Sequence, residues 1–589
     1  MKLPTLNELE TTRDMIDVFR GYNHNLRIGS GEFYDMKNLT STSYPVLSPR
    51  GRRGVYAAPS NPQGLIAKDS LCYVDGADFV INEYRVEMGL STAEEDCPKT
   101  LVSMGAYVII MPDKKWVKTV ADDGETAFEH GNIEASVTTT TAVGFQMCRV
   151  DGSAYEGALV TAEEPEDPEN LALWIDTSTT PHTLKQWSES SAMWVNIATT
   201  YVKISATGIG KPFSVNDGVT ISGIENKQLA DLNNTMIIWD KGDDYIVVTG
   251  ILDTVATQDA DKPITIKRQM PNLDFIIESE NRLWGCRYGV AVNGEVVNEI
   301  YASKLGDFKN WNCFMGIATD SYAATVGTDG QFTGAIAHLG YPIFFKENCM
   351  HKVYGNYPAN YQINTTTCRG VQKGSHKSLA IVNEVLYYKS RTAVCAYDGS
   401  LPQEISYTLG DVQYSDAVAC NHGNKYYISM KDDTAGTWHL FVYDASKGLW
   451  HKEDNTRVSE FCSCREELYF IAHDDNKIKT MFGSGEKDTS KVEWMAETGV
   501  IGTDDPDKKY ISKLNVRMSL DIGTKVFVYI QYDSLGEWEY LFTMDGTTLR
   551  SFTIPIRPKR CDHLRLRIEG YGDAKIYSIA KTIERGSDV

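Results

Sequence analysis

Acidic clusters are the part of this sequence whose residue types and spacing come closest to a metal site. The clusters Asp240-Lys-Gly-Asp243-Asp244, Asp432-Asp433 and Asp474-Asp475-Asn476 offer the carboxylate oxygens that calcium prefers. None of them completes the spacing of a calcium-binding loop with its distal Glu, and each lies between two apolar runs. We therefore interpret them as Asp-rich hairpin turns and predict no metal ligand.

Other short patterns give no catalytic or cofactor site. Cys462-Ser-Cys464 places two thiols on one face of a strand, but zinc needs about four ligands and the sequence has no second pair. The segment GIGKPFS at 208–214 lacks the spacing of a phosphate-binding loop, and the chain has neither G-x-S-x-G nor H-E-x-x-H. We predict no catalytic residue, no cofactor and no enzymatic activity.

Two turns carry an Asp, a Gly and a Trp in the order that is typical of Asp-box hairpins. The Asp side chain can accept backbone N–H groups within the turn, the Gly supplies a positive φ, and the Trp covers the hairpin base. Sialidases carry such turns on β-propellers, so a glycosidase stays open as an alternative, although no short motif identifies its Tyr nucleophile. The predicted turn-forming residues are Asp444, Gly448 and Trp450 in one turn and Asp533, Gly536 and Trp538 in the other.

A repeated strand pair must position these turns. Each copy is an aromatic or β-branched run, a polar turn and a second run. Successive copies start 36, 176, 59, 44, 39 and 43 residues apart, and all but one of these intervals suit a four-stranded propeller blade. The pattern predicts an all-β fold with a β-propeller of about six to seven blades; unrelated hairpins in ordinary sandwiches are the alternative. The copies start at Leu71, Tyr107, Leu283, Pro342, Leu386, Lys425 and Leu468.

The long interval of 176 residues predicts a small β-barrel or sandwich inserted between two blades. Residues 121–180 contain 13 Asp and Glu against the single Arg149, and the run 163–169 is the most acidic part. Six strand-like runs after residue 491 predict a C-terminal jelly-roll-like sandwich. The only helical candidates are short, such as Glu8–Phe19. The predicted domains are an extended docking arm (1–60), first blades (61–123), an acidic inserted β domain (124–268), remaining blades (269–490) and the sandwich (491–589).

Composition excludes several classes of protein. The chain has 589 residues, 42% of them hydrophobic, which excludes a disordered or low-complexity protein. Its net charge of −21 argues against a protein that grips nucleic acid over its whole surface. The twelve Cys are scattered and are expected to be reduced, and neither a signal peptide nor a membrane span is predicted.

The N-terminal region, FRGYNHNLRIGSGEFYDMKNLTSTSYPVLSPRGRRG at 19–54, resembles the opening of phage tail proteins of the nozzle and DNA-stabilisation kind. In that family an extended segment with an Asp/Asn pair, Tyr-Pro and Pro-Arg leads into a β-propeller. The matching positions here are Phe33, Tyr34, Asp35, Met36, Asn38, Leu39, Tyr44, Pro45, Leu47, Ser48, Pro49, Arg50 and Arg53. Further similar phrases are NRLWGC at 281–286, NEIYASKLGDFKNWNCF at 298–314, FFKE at 344–347, YDGSLPQEIS at 397–406 and IERGSD at 583–588.

The resemblance implies a structural virion protein, assembled in the host bacterial cytoplasm as a homo-oligomeric ring, typically of six copies, around the DNA exit channel of the tail. Its implied partners are other copies of itself, the head-to-tail adaptor, tail fibres and passing double-stranded DNA, without sequence-specific contact. An acidic channel would keep the DNA from sticking. The first alternative is a tail-tip or receptor-binding propeller that contacts surface glycans, and the second is the glycosidase.

The segment around SPRGRR is the candidate docking site. Arg forks bind carboxylates through two hydrogen bonds, so we expect Arg50, Arg52 and Arg53, with Tyr44 and Pro45, to dock on an acidic neighbour. A solvated basic loop is the alternative. On the docking hypothesis, replacing the three arginines by Ala reduces incorporation into particles without lowering the melting temperature.

Overall fold

The computed structural model describes residues 11–585 except 94–97, 121–127, 156, 292–293 and 504–506. In these residues nearly all regular structure is β-strand, which confirms the predicted all-β class. The helices within the described residues are short 3-10 helices at Lys227–Leu232, Pro358–Asn360, His376–Ser378 and Tyr407–Leu409. The chain divides into two compact units, one of Met1–Pro98, Phe344–His351 and Thr365–Val589 and one of Lys99–Ile343 and Lys352–Asn364.

Four antiparallel sheets of the first unit are meanders, in which each strand pairs with the next one along the chain. The fourth sheet is completed by Gly54–Ala57, which comes from near the start of the chain and pairs between its third and last strands. The strands are Pro62–Ala67, Leu71–Asp75, Asp78–Ile81 and Tyr84–Glu87; Ala380–Val382, Val385–Lys389, Val394–Tyr397 and Gln403–Glu404; Tyr414–His422, Lys425–Asp432, Trp438–Asp444 and Leu449–Lys452; and Val458–Cys464, Glu467–Ala472, Ile478–Thr480, Gly54–Ala57 and Glu486–Lys487.

The second unit has two meanders of the same kind. Their strands are Thr100–Met104, Tyr107–Met111, Lys115–Lys118 and His130–Asn132, and Phe275–Ser279, Arg282–Val290, Val296–Ala302 and Tyr322–Thr325. A further four-stranded sheet follows, and the division into units falls within its residues. Its strands are Gly334–His338, Tyr341–Lys346, Cys349–Tyr354 and Gln362–Thr367.

Six of the seven predicted strand pairs are present, and each forms the second and third strands of one of these sheets. The pair predicted from Leu283 is wrong, because Arg282–Val290 is one continuous strand and pairs with Val296–Ala302. The second strands are buried on both faces, as in Tyr107–Met111, and therefore appear in the sequence as continuous apolar runs. Several of the turns are two-residue loops in which both residues have positive φ, at 82–83, 280–281 and 383–384. Such turns match the twist of the strands they join, so the pairing of neighbours is decided locally.

Residues 135–268 form three separate sheets in the second unit. Two of them enclose a core of aliphatic side chains that includes Val202, Ile204, Val219 and Ile266. Their strands are Ala135–Thr138, Thr265–Arg268, Gly218–Ser222 and Thr235–Ile237 in one sheet, and Asp240–Gly242, Tyr245–Thr249, Tyr201–Ser205, Val143–Cys148 and Ala256–Gln258 in the other. The third sheet consists of Leu159–Thr161, Leu173–Asp176, Thr183–Ser188 and Met193–Asn196.

Two sheets at the end of the chain form one core around Trp494, Val528 and Ile568. Buried residues alternate with accessible ones along Lys509–Leu520 and Leu564–Tyr571, as expected for strands with one face inside. The strands of one sheet are, in spatial order, Thr11–Ile16, Ala574–Arg585, Lys509–Leu520 and Arg550–Ile554. Those of the other are Gly21–Tyr22, Glu32–Lys37, Glu493–Thr498, Leu564–Tyr571, Lys525–Tyr532 and Glu539–Met544. A two-stranded sheet of Leu39–Thr40 and Ser48–Pro49 comes directly after Glu32–Lys37 along the chain.

The N-terminal segment differs from its prediction in two ways. Thr11–Ile16, expected to be helical, is an edge strand that pairs residue by residue with Ala574–Arg585. The remainder of 11–57 is not an extended arm, because Glu32–Lys37 pairs with Glu493–Thr498 and Gly54–Ala57 belongs to the sheet of 458–487. Both differences arise because strands near the other end of the chain offer unpaired edges, which local sequence does not reveal.

We expect Gly21→Ala to lower the free energy of unfolding by at least about 2 kcal/mol, because a non-glycine residue in the left-handed region is strained. Gly21 has a φ of 81°, and an added Cβ would collide with the carbonyl oxygen of Trp450. The matched control is Gly51→Ala, where a Cβ meets no atom within 4 Å and a change under about 0.5 kcal/mol is expected. Denaturant titration followed by tryptophan fluorescence measures both, and equal losses in the two variants would contradict the prediction.

Candidate functional site

The predicted docking arginines lie where the chain passes from Ser48–Pro49 to Gly54–Ala57, and two of them are bound to acids of the same chain. Arg53 donates from Nη2 to Oε2 of Glu453 at 2.9 Å and lies 3.0 Å from Asp454 through Nη1. Arg50 lies 3.5 and 3.3 Å from the same two carboxylates. The side chains of Arg53 and Glu453 are only 13% and 6% exposed, so these charges are largely withdrawn from solvent.

Asn38 connects this ion network to two other segments. Its φ of 55° is one that Asn tolerates better than most residues, and its backbone N–H donates to the carbonyl of Glu453 at 2.6 Å. Its side-chain amide donates to the carbonyl of Glu493 at 2.7 Å, and its side-chain oxygen accepts from Nε of Arg50 at 2.8 Å. The N-terminal segment is thereby held against the end of one meander and the start of the sandwich strand Glu493–Thr498.

Burial and charge act against each other in this network. Burial disfavours the charged form of Arg53, but the carboxylates of Asp454 and Glu453 outweigh it and raise the pKa of the guanidinium. Burial also opposes the charge of Asp454, and Arg53 outweighs it and lowers the pKa of that carboxyl. Both groups are therefore ionised at neutral pH, and the loss of one partner would leave a buried, uncompensated charge.

Arg52 has a different environment from its two neighbours. It is exposed, and its side chain has no hydrogen bond or ion pair within residues 11–585 as the structure describes them. It lines a cleft of about 680 Å³ together with Lys477, Lys479 and Lys491. Of the predicted docking arginines, Arg52 alone presents a guanidinium that is not already bound by the chain itself; docking on another protein stays a prediction.

Tyr44 and Pro45 lie in the connection between Leu39–Thr40 and Ser48–Pro49. Tyr44 is 40% exposed, and the ammonium of Lys447 lies 5.9 Å from its ring centroid. The carbonyl of Pro45 accepts the backbone N–H of Phe19 at 3.2 Å. Pro45 therefore helps to fix the segment within the chain, whereas Tyr44 presents an aromatic face outward.

The first predicted Asp-box turn has the expected internal hydrogen bonds. Asp444 accepts the backbone N–H of Ser446 at 3.2 Å and the hydroxyl of Ser41 at 2.5 Å. Although burial opposes the charge, the bonds from Ser41, Ser446 and Lys447 lower the pKa of Asp444 to about 2. Gly448 has a φ of 67°, and the buried Trp450 donates from its indole N–H to the carbonyl of Ile405 at 2.7 Å.

The second predicted turn is built differently. Asp533 has a φ of 50° and accepts the backbone N–H groups of Asp562 and His563, which belong to another loop. Gly536 has a φ of 82°, but Trp538 does not return into the core. Its ring instead lies 4.2 Å below the guanidinium of Arg567. The sequence pattern therefore describes two turns that share a composition and differ in their contacts.

One constellation that could do glycosidic chemistry was not found from the sequence. The hydroxyl of Tyr301 donates to the carboxylate of Glu299, and Arg287 lies opposite Glu299 on the neighbouring strand. Burial, together with this hydrogen bond, raises the pKa of Tyr301. A phenol, a carboxylate and a guanidinium thus lie on one face of a sheet, and a hydroxyl that donates to a carboxylate can serve as a nucleophile. The signal in the sequence was alternation: Glu299 and Tyr301 are two residues apart in a strand.

A face of the sheet of 159–196 carries three tryptophans. The ring of Trp194 lies 5.4 Å from that of Trp174 and 5.5 Å from that of Trp187, centroid to centroid. The ammonium of Lys185 lies 4.4 Å from the Trp174 ring and pairs with Asp176 at 2.8 Å. Aromatic rings beside polar groups suit ligands with an apolar face and hydroxyl edges. Trp174 is buried, whereas Trp187 and Trp194 are partly accessible, so the glycan-binding alternative stays a prediction.

The described residues offer neither a metal-binding cluster nor a membrane-spanning helix. In the described part of the chain no group of three or more His, Cys, Asp or Glu side chains could hold a metal ion. Nor does any helix there have the length and the apolar composition that crossing a bilayer demands.

No protein-family model and no curated protein matches the chain. Among solved structures, an exo-β-1,3-galactanase from Phanerochaete chrysosporium bound to galactose matches with a TM-score of 0.20 and 8% identity, over 52% of this chain and 94% of that one. A GH43 glycoside hydrolase with engineered endo-xylanase and exo-arabinofuranosidase activity matches with a TM-score of 0.19 and 7% identity, over 53% and 96%. The extracellular domain of a hybrid two-component system from B. thetaiotaomicron matches with a TM-score of 0.22 and 10% identity, over 92% and 98%.

These matches contradict the prediction of a protein without enzymatic activity, because glycoside hydrolases stand among the matching chains. That prediction is withdrawn. TM-scores of 0.19–0.22 assign neither their fold nor their activity to this chain.

Replacing Arg53 by Met should lower the free energy of unfolding by about 3–5 kcal/mol, because Glu453 and Asp454 keep buried charges without their best partner. Arg52→Met removes an exposed cation and should change it by less than about 0.5 kcal/mol. The earlier expectation that all three arginines can be replaced at constant melting temperature therefore fails at Arg53.

Thermal and denaturant unfolding of the two variants test this difference. The double variant Arg53→Met, Glu453→Leu should recover part of the loss, since it removes one of the stranded carboxylates. A similar stability for Arg53→Met and Arg52→Met would mean that the buried ion pairs contribute nothing to folding.

Proposed function

We propose that six four-stranded sheets and the five-stranded sheet of 458–487 are the blades of one β-propeller, with residues 135–268 inserted as a domain and with the terminal strands forming a sandwich. Within each unit, the first strand of one sheet packs beside the first strand of the next, as blades do around an axis. In the first unit this row consists of Ala380–Val382, Tyr414–His422, Val458–Cys464 and Pro62–Ala67. Gly54–Ala57, from near the start of the chain, completes the 458–487 sheet. In a propeller, a strand shared in this way joins the last blade to the first.

We propose further that the chain is a structural subunit of a phage tail, assembled with other copies around the path of the DNA and presenting sites for neighbouring tail proteins. The supporting observation is that the segments that resemble this family bind one another. Arg282, from NRLWGC, is buried and donates to the carbonyl of Ser303, from NEIYASKLGDFKNWNCF, at 2.8 Å. Asn38 and Arg50 meet in the same way. The resemblance therefore lies in the residues that hold the architecture together.

The charge of the chain is compatible with this function. A net charge of −21 per copy repels phosphate, so DNA would pass without lasting contact. A basic channel would instead retain the DNA through its backbone. In this proposal the protein acts in the virion, after assembly in the host bacterial cytoplasm.

The proposal is tested by labelling particles that carry the protein with an antibody fragment against residues 189–193 and imaging them by cryo-electron microscopy. These residues are exposed and can be reached by a label. We expect density repeated symmetrically around the tail axis. A label confined to fibre tips would favour receptor binding, and particles that carry no label, while the isolated chain binds it, would overturn the proposal.

A second candidate is glycoside hydrolysis, favoured by Tyr301 with Glu299 and Arg287. In this mechanism the Tyr301 oxygen attacks the anomeric carbon, and the carboxylate of Glu299 takes up the phenolic proton. Arg287 orients the carboxylate of Glu299. The bond from the anomeric carbon to the leaving oxygen breaks, and that oxygen takes up a proton from solvent water. A water molecule then attacks the anomeric carbon, the bond to the Tyr301 oxygen breaks, Glu299 returns its proton to that oxygen, and the proton of the attacking water passes to solvent. The raised pKa of Tyr301 means that the transfer to Glu299 must accompany the attack, because the free phenolate is not populated at neutral pH.

A panel of fluorogenic glycosides that includes sialosides tests this candidate. We expect Tyr301→Phe to lose at least about 100-fold in turnover at unchanged melting temperature, since it removes the nucleophilic oxygen and keeps the ring. Tyr407→Phe is the control, because Tyr407 is 74% exposed and lies in another part of the chain. A wild-type chain that cleaves none of the glycosides, or equal turnover in the two variants, would exclude this candidate.

A further inference from the structure

The cleft beside Arg52 is a basic site on an acidic protein. Most of its lining comes from residues 50–55, 475–479, 486 and 488–493, with Lys37, Asn38, Thr456 and Phe470 beside them, and all belong to the first unit. Seven Lys and Arg side chains face its volume of about 680 Å³ against four Asp and Glu, although the whole chain has a net charge of −21. Cations are therefore concentrated here against the trend of the molecule, which makes the cleft a site for an anionic group.

Some of these cations are available for a ligand. Arg52 is exposed, and neither its guanidinium nor the ammonium of Lys477 has a hydrogen bond or ion pair in the portion of the chain that the structure describes. Lys479 is bound to Asp475 at 2.8 Å, and Arg50 and Arg53 are bound to Glu453 and Asp454. An incoming anion would therefore meet Arg52 and Lys477 first.

The neighbouring arginines show which anion this segment is built to hold. Arg50 and Arg53 bind carboxylates, and each reaches two of them. The four acids of the lining would repel a densely charged polyanion such as duplex DNA at close range. These four acids leave room for a short peptide, whose few carboxylates can lie next to the lysines. The chemistry of the cleft therefore favours an acidic peptide segment.

The same chain contains such a segment. Residues 163–169 connect Leu159–Thr161 to Leu173–Asp176, and they carry five carboxylates, at Glu163, Glu164, Glu166, Asp167 and Glu169. All five residues are exposed, and the described residues contain no ion pair to any of them. Pro165 and Pro168 restrict the backbone, so the loop loses less conformational freedom on binding than a flexible tail would.

We infer that the cleft around Arg52 and Lys477 binds the acidic loop 163–169 of a second copy of this chain. The cleft has more cations than carboxylates and the loop has only carboxylates, so the two surfaces complement one another when copies meet. Because cleft and loop are different surfaces, the contact is heterologous, and every copy offers one of each. Such contacts join copies head to tail, either into a closed ring or into an open filament.

This inference rests on the part of the proposed function that concerns assembly of copies with one another. It does not require that the copies stand in a phage tail. Self-association through the cleft can fail while labelled particles still show the chain on a tail, and the reverse outcome is equally possible. The two proposals are therefore separable by experiment.

Charge reversal on each surface provides the test. The cleft variant is Arg52→Glu, Lys477→Glu, and the loop variant is Glu163→Lys, Glu164→Lys, Glu166→Lys. Sedimentation velocity at about 20 mM and about 500 mM salt measures assembly, since screening weakens exposed ion pairs. We expect the wild-type chain to assemble at low salt and to dissociate at high salt. Each variant alone should assemble at least about tenfold more weakly.

An equimolar mixture of the two variants is the decisive measurement. The unchanged loop of the cleft variant fits the unchanged cleft of the loop variant, and the two reversed surfaces again have opposite charges. The mixture should therefore recover assembly that neither variant shows alone. Arg391→Glu, Lys513→Glu is the control for net charge, because both residues are exposed, and it should assemble as the wild type does.

Several results would overturn the inference. They are a wild-type chain that stays monomeric at low salt, variants that assemble like the wild type, and a mixture that stays dissociated. Binding of duplex DNA that Arg52→Glu, Lys477→Glu abolishes, without any self-association, would assign the cleft to a nucleic acid. Unchanged melting temperatures of both variants show that the surfaces, rather than the fold, have been altered.

Discussion

The buried contact of Arg50 and Arg53 with Glu453 and Asp454 is the constraint on which the arrangement of the first unit depends. Taking four charged groups out of water is costly, and the cost is offset only when the partners stand at hydrogen-bonding distance. These distances exist only if residues 50–53 lie beside the end of the strand Leu449–Lys452. The ion pairs therefore act less as a source of stability than as a requirement on position, and Asn38 extends that requirement to Glu493.

The position of residues 38–53 also determines where the segments on either side of them lie. Residues N-terminal to Asn38 reach the sandwich, where Glu32–Lys37 pairs with Glu493–Thr498 and Thr11–Ile16 covers the edge of Ala574–Arg585. Residues C-terminal to Arg53 continue into Gly54–Ala57 and complete the 458–487 sheet. The sandwich thus combines strands more than 500 residues apart, as in the ion pair of Lys581 with Asp14. Contacts of such separation form late, because loop closure must come first.

The difference between local and distant pairing explains what could be predicted from the sequence. Six of the seven hairpins could be predicted because their apolar runs and turns are adjacent in the chain, and the six C-terminal strands because their alternation is regular. The strand Thr11–Ile16 could not, since its pairing is imposed by a partner near the C-terminus. The same holds for the site: the sequence shows that Arg50 and Arg53 suit carboxylates, but not that Glu453 and Asp454 are those carboxylates.

The contrast between Arg53 and Arg52 has a consequence for how one short segment can serve both folding and assembly. A guanidinium that is 13% exposed holds its carboxylates in a poorly screened environment, so salt has little effect on that contact. An exposed guanidinium one position earlier is fully subject to screening and contributes little to stability. Folding therefore uses the buried cations, and association with another molecule is left to the exposed ones. In such a division, changes in ionic strength alter the contacts of the chain with its partners while its own fold stays intact.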